Sequence, residues 1–319
     1  MSLIVYNSLR EKWAQKGSNK EKTPQSNRSW GNEKIMKDLD RSHNNIALQW
    51  TAEEISARLG ISTAVYQKIR LGAQQIAEIS QAGIKRIEIS SILNCFDHRN
   101  QTQVSEVLGE CRKQGVTVVA VHGWVKIPRS FESEEEREAV MEESLDSIRF
   151  AEKAGASIYV AHFGCTEQSE RMVTELLDRT PDFRIKLTTE NGRDLRDFMA
   201  VVDKVGSDRF GMTVDIGHTR DSDGGNPFIK KCRAREALAQ CEDRVFHIHL
   251  HEVFDQEQKS DHHAPLHRDG IVEWGEIFAA LKDIGYREEL IFEDGRGENP
   301  EEWVRMTGAF PQAFVKRYG

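Results

Sequence analysis

Cysteine is scarce in this chain, with five among 319 residues. Cys95, Cys111, Cys165, Cys232 and Cys241 are scattered and odd in number, and no Cys-x-x-Cys pair occurs. A disulfide framework is therefore not the basis of the fold, and a reducing, cytoplasmic setting is the expectation. Long apolar runs are missing too, which leaves no candidate for a membrane span. The first residues lack the apolar core and basic flank of a secretory signal. Positive charge is not in excess: 44 Lys and Arg stand against 52 Asp and Glu, a formal net charge of −8. Chains that grip nucleic acid through its phosphates show the opposite balance, so nucleic acid is not an expected partner.

What is present is a 38% apolar content and enough length for one large domain. An α/β barrel alone takes about 250 residues. Residues 1–45 stand apart, because Gln15 to Arg28 is almost wholly polar and can bury little surface. They are expected to form a mobile N-terminal extension, with a barrel domain over 46–319.

From about residue 57 a short β-rich run alternates with an amphipathic helical stretch. The β runs are Ala57–Thr63, Lys85–Ser90, Val116–His122, Ser157–His162, Arg184–Glu190, Arg209–Asp215, Arg244–His251 and Glu288–Glu293. Helices are expected over Tyr66–Gln81, Glu134–Ala154, Gly192–Val205 and Trp274–Ile284, among others. Gly83, Gly115, Gly155 and Gly285 stand where helix C-caps should. Regular βα alternation implies a parallel sheet covered by helices, and eight units imply closure into a (β/α)8 TIM barrel. Thr51–Arg70 also reads as a helix-turn-helix with Gly60 in the turn, a loose pattern that matches often by chance.

The strands carry a polar stripe. In Arg244–His251, His247, His249 and His251 fall on one face and Phe246, Ile248 and Leu250 on the other. The apolar face is expected to meet the helices and the histidines to point at the barrel axis. Thr188 and Glu190 likewise oppose Ile185 and Leu187, Thr213 and Asp215 oppose Met212 and Val214, and Glu293 opposes Leu290 and Phe292. Two further strands end on His122 and His162. Polar groups thus gather at the C-terminal mouth, where barrel enzymes keep their chemistry. A lone inward histidine is usually a hydrogen-bonded core residue, and a lone carboxylate at a strand end usually caps the next helix. Together, however, these groups would crowd one axis and lack partners, and a bound cation removes that difficulty. Carboxylate and imidazole ligands without thiolate suit Mn²⁺, the expected ion, and also Mg²⁺, Co²⁺ or Zn²⁺. Cys165 is a bystander in this reading.

These residues resemble the xylose-isomerase-like barrels, a superfamily of sugar isomerases, ketose 3-epimerases, inosose dehydratases and abasic-site endonucleases. The resemblance covers about residues 57–317. It rests on "TTENG" with Glu190, "VDIGH" with Asp215 and His218, "HIHLHE" with His249, "DHHAPLHRDGIVEW", and "LIFED" with Glu293. It implies one divalent metal held by Glu190, Asp215, His249 and Glu293. His218 would hold a substrate hydroxyl, with His122, His162 and His263 as further substrate contacts; Arg268, which departs from the superfamily, is a candidate contact for a substrate phosphate or carboxylate, although an exposed arginine is more often simply solvated. Glu190 and Glu293 would be the catalytic pair, trading a proton through a cis-enediolate on a sugar, a sugar phosphate or a polyol-ketone. His267 and Arg268 replace the tight glycine turn that the superfamily usually has there.

The rival implications are an inosose-dehydratase-like lyase and an abasic-site endonuclease with a multinuclear zinc site. The nuclease set would be His122, His162, Glu190, Asp215, His218, His249, Asp261, His263 and Glu293. The acidic balance favours the metal-dependent isomerase or epimerase. Assembly into a homo-oligomer is left open.

Overall fold

Eight parallel strands close on one another in chain order, and the circle is completed by pairing of the first with the last. The computed structural model describes residues 50–92, 94–126, 131–192, 194–229, 233–255, 262–293 and 299–319. The anticipated extension, residues 1–45, lies outside the described residues. The strands are β1 (Leu59–Ser62), β2 (Arg86–Ser90), β3 (Thr117–Lys126), β4 (Ile158–His162), β5 (Lys186–Glu190), β6 (Phe210–Asp215), β7 (Val245–Leu250) and β8 (Leu290–Phe292). Helix α1 (Ala52–Arg58) precedes β1. Between the strands and after β8 run α2 (Ala73–Gln81), α3 (Gln101–Gln114), α4 (Glu134–Ala154), α5 (Glu167–Arg179), α6 (Leu195–Val205), α7 (Ala234–Ala239), α8 (Trp274–Asp283) and α9 (Pro300–Tyr318). This is a (β/α)8 barrel. No helix among the described residues is long and apolar enough to cross a membrane.

Local chemistry explains the element ends. The Ser133 hydroxyl accepts from the Glu136 amide at the start of α4, and Gly155 ends that helix at φ 82°. Left-handed backbone of this kind is nearly free for glycine and costly for other residues. Helix α6 buries Leu195, Phe198, Val201 and Val202, a spacing that lays one apolar stripe on the sheet.

Two expectations need correction, and the helix-turn-helix alternative falls, since the strand expected over Ala57–Thr63 is present. Thr51–Arg70 is not a helix-turn-helix. It holds α1, then strand β1, then a short 3-10 turn over Thr63–Tyr66. Gly60 lies inside β1, where a Cβ would come 2.4 Å from Ile291 Cδ1, so the glycine serves strand packing instead of a turn. Helix α2 starts at Ala73, seven residues later than Tyr66, because Tyr66 closes the 3-10 turn and the chain then runs through the exposed residues Lys68, Ile69 and Arg70 before Gly72 caps the helix. Finally, Phe246 does not face the helices. The β6–β7 register slips between Met212 and Thr213, which gives β7 one extra residue and breaks its alternation. Phe246 joins Ala120, Ile158 and Val160 in an apolar plug on the barrel axis. The Lys186 ammonium sits 4.2 Å from its ring centroid.

Outside the barrel, Trp274, Phe278, Phe292, Phe310 and Phe314 fuse α8, α9 and β8 into one aromatic layer. Phe310 lies at its centre, with ring centroids at 5.3 Å from Trp274, 4.8 Å from Phe292 and 5.5 Å from Phe278. Phe310→Ala should therefore cost about 3–5 kcal/mol in unfolding free energy. Ile69→Ala, at a side chain that is 43% exposed, should stay within about 0.5 kcal/mol. Equal effects of the two in denaturant titrations would contradict this packing.

Candidate metal centre

The C-terminal ends of β3, β5, β6, β7 and β8 deliver His122, Glu190, Asp215, His249 and Glu293 to one place. Asp215 and His249 are fully buried, Glu190 and His122 nearly so, and Glu293 is 9% exposed. Glu190, Asp215, His249 and Glu293 each offer a ligand atom, and these atoms all lie within 4.8 Å of one another.

Backbone and neighbouring side chains hold the acids in place. Asp215 Oδ1 accepts from the amides of Gly217 and His218, both at 2.8 Å, and from His251 Nε2 at 3.0 Å. The turn after β6 is therefore folded around one carboxylate oxygen, which leaves Oδ2 for the cavity. Gly217 must be glycine, since a Cβ there would meet His251 Cε1 at 2.0 Å. Asn191 accepts from the Asp215 amide and donates to Thr219, which ties the ends of β5 and β6 together. Glu190 Oε1 bonds His218 Nδ1 at 3.0 Å, and its Oε2 lies 3.2 Å from His122 Nε2 and 3.6 Å from His162 Nε2. Glu293 faces His122 Nδ1 at 3.4 Å and His249 Nδ1 at 3.5 Å.

Burial penalises every charge here, and the charges offset one another. Desolvation alone would raise Glu190 and Asp215, but the surrounding imidazoles outweigh it and hold both carboxylates well below their usual range. Burial would lower His249, but Glu88 and Glu293 overcome it and hold its pKa well above the ordinary histidine value. His218 is lifted to about 9 against desolvation, by Asp215 and then Glu190. His262 is pushed down to about 3 by burial and by His251, whose ring stacks on it at 3.9 Å. One proton assignment fits: His218 as imidazolium donates from Nδ1 to Glu190 and from Nε2 to neutral His262 Nε2, 3.0 Å away. His262 Nδ1 then donates to the Glu293 carbonyl at 3.1 Å.

The donor set fits a divalent cation. Glu190 Oε2, Asp215 Oδ2 and His249 Nδ1 are buried and make no hydrogen bond. Two buried carboxylate oxygens and an imidazole nitrogen gathered here without hydrogen bonds are costly unless something positive joins them. Carboxylate oxygen and imidazole nitrogen are ligands for Mn²⁺, Mg²⁺, Co²⁺ or Zn²⁺.

The other anticipated residues divide. His122, His162 and His218 line the centre. His263 and Arg268 are not brought to it. The His263 ring stacks on Phe254 at 3.5 Å, and the Arg268 side chain is 88% exposed beside Asp269. Asp261 lies outside the described residues. His262, adjacent to His263, reaches the cluster instead. The backbone bridge between Glu252 and His263 is extended, so neighbouring side chains point to opposite sides. Glu252 fixes that segment: wholly buried, it accepts from the amides of Val272 and Val253 and from Trp274 Nε1. Glu88, on β2, also escaped the sequence reading, which attended to strand ends. The available signal was a charged residue in mid-strand opposite Ile87 and Ile89.

A family model described as a xylose isomerase-like TIM barrel matches residues 76–310. No curated protein matches the chain. Among solved structures, D-psicose 3-epimerase from Clostridium cellulolyticum H10 aligns at 16% identity with a TM-score of 0.61, over 81% of this chain and 97% of its own. The probable 3-DHS dehydratase AsbF of Bacillus anthracis aligns at 11% and 0.62, over 80% and 98%. The IOLI protein, with a zinc atom bound, aligns at 16% and 0.64, over 82% and 99%. At such identities the likeness is one of fold.

Because His249 is held protonated, a divalent ion must displace a proton from it. Metal binding near pH 7 should release protons, and affinity should rise with pH. Calorimetric titrations in buffers of different ionisation enthalpy measure the release directly. Binding without proton release would contradict the charge state assigned to His249.

Proposed function

Given that the chain belongs to the xylose isomerase-like TIM barrel family, we propose that it is a divalent-metal-dependent isomerase or epimerase of a sugar, sugar phosphate or polyol-ketone. The observation that carries this reading is the convergence of buried, unbonded Glu190 Oε2, Asp215 Oδ2 and His249 Nδ1 beside Glu293. Glu190, Asp215, His249 and Glu293 would hold the ion. When bound, it supplies positive charge against the negative charge that develops on the substrate's oxygens.

The protein's own groups do the rest. Glu190 stays ionised among its imidazoles, the state a general base needs. Glu190 and Glu293 come from strands on different sides of the axis. Either can take the proton from the carbon beside the carbonyl, leaving a cis-enediolate, and the proton it then carries returns to the enediolate, directly or by way of the other carboxylate. His218 would hold a substrate hydroxyl by exchanging its N–H bond to His262 for one to the substrate, while its other N–H stays on Glu190. His122 and His162 line the same cavity and complete its polar wall.

A second reading has one observation in its favour. His122 and His162 both approach Glu190 Oε2, as they would around a further ion of an abasic-site nuclease. His263, which that reading also needs, turns away onto Phe254.

The two readings are separated on one preparation. With Mn²⁺ in D₂O, the isomerase reading expects solvent deuterium at the carbon next to the carbonyl of a ketose or inosose. Uptake should stop with EDTA and fall about 10²–10⁴-fold in Glu293→Gln, the span that one positioned acid or base contributes. A dehydrated product in place of exchange would assign a lyase. Cleavage of a duplex at an abasic site, with no uptake on any sugar, would overturn the reading in favour of the nuclease.

A further inference from the structure

Glu88 has no part in the chemistry above, yet it is wholly buried on the barrel axis. Its Oε2 lies 3.0 Å from His247 Nε2 and 3.0 Å from His249 Nε2. A carboxylate has no hydrogen to give when ionised, so both ring nitrogens must be N–H donors. Two register slips create the meeting. The one between Ile87 and Glu88 sets Glu88 across from Ala120, and the one between Met212 and Thr213 turns His247 inward on the layer of Thr213.

The consequence falls on His249. With Nε2 committed to Glu88, its other nitrogen, Nδ1, points to Glu293 Oε2 at 3.5 Å and Glu190 Oε2 at 3.8 Å and makes no hydrogen bond. We propose that Glu88 is a positioning residue: it anchors Nε2–H of His249, so that Nδ1 is the nitrogen offered to the metal, and His247 pins the carboxylate from its other side. A metal-bound imidazole whose far N–H rests on a carboxylate is a better donor and loses less freedom on binding. Glu88 is not one of the four ligands in this arrangement: its Oε2 is taken by two ring nitrogens, and its Oε1 lies toward His122 Nδ1, 3.8 Å away.

The proposal rests on the metal reading, and the test keeps the two apart. Zn²⁺ affinity and stoichiometry would be measured by chelator competition for the wild type, Glu190→Gln and Glu88→Gln. Glutamine keeps the shape and one acceptor oxygen at position 88 but removes the charge, and metal-free circular dichroism and melting would verify its fold. Glu88→Gln should bind zinc about 10–100-fold more weakly, the range for loss of a carboxylate behind a ligating histidine. Imidazole ¹⁵N spectra of zinc-loaded wild type, with His249 assigned by its loss in His249→Gln, should show Nε2 protonated and Nδ1 on the metal. That spectrum decides the case even if the Glu88 variant does not fold. Wild-type binding that Glu190→Gln abolishes and Glu88→Gln leaves intact would overturn this proposal alone. So would zinc on Nε2, or a second ion lost with Glu88. Absence of zinc binding in the wild type would overturn the metal reading and this proposal together.

Discussion

Four carboxylates share the axis of one closed barrel: Glu88, Glu190, Asp215 and Glu293, none more than 9% exposed. Isolated in such surroundings, each would cost several kcal/mol or take up a proton. The fold answers by spacing imidazoles among them. His122 lies between Glu190 and Glu293, His249 between Glu88 and Glu293, and His218 between Glu190 and Asp215. Strand register, the glycine in "VDIGH" and the loop pinned by Glu252 all serve to keep those pairings. Among the buried atoms left without a hydrogen bond, Glu190 Oε2, Asp215 Oδ2 and His249 Nδ1 are the ones that a cation at this place would join.

The structure separates holding from reacting. Groups deep on the axis, Glu88 with His247 and His249, have no exposure and sit on rigid strands. Groups nearer the mouth, His162, His218 and His262, are partly exposed and stand at strand ends or on loops. This is the usual division in a barrel, where strands fix geometry and the following loops adapt it to a substrate. The apolar plug of Phe246 with Ala120, Ile158 and Val160 fills the axis from the other end. A cavity of about 350 Å³ below it is lined by Arg184, Lys186 and Arg287 and holds none of the metal-centre groups.

Much of this was legible before any coordinates. The eight strands were found in order, and their C-terminal polar residues converge because alternation along a strand is a strong constraint when one face must be apolar. Glu134–Ala154 was read to the residue, since its cap serine and terminal glycine are both local signals. What escaped depends on pairing between distant strands. A register slip is invisible in a single strand, so Phe246 was assigned to the wrong face and Glu88 was passed over. The choice between His262 and His263 turns on one backbone bridge to Glu252, which no local pattern reveals. Helix α1 was legible only within the helix-turn-helix alternative, because its seven residues run straight into β1 with no turn between them.

The central claim is that Glu190, Asp215, His249 and Glu293 form one cation site. It is tested most directly by anomalous diffraction from crystals grown with Mn²⁺. The account predicts an anomalous peak among these four side chains, with ligand atoms at about 2.0–2.4 Å, the distances usual for such donors. A peak held instead by Glu88 and His247, or no peak on the barrel axis at a concentration that saturates the protein in solution, would contradict it.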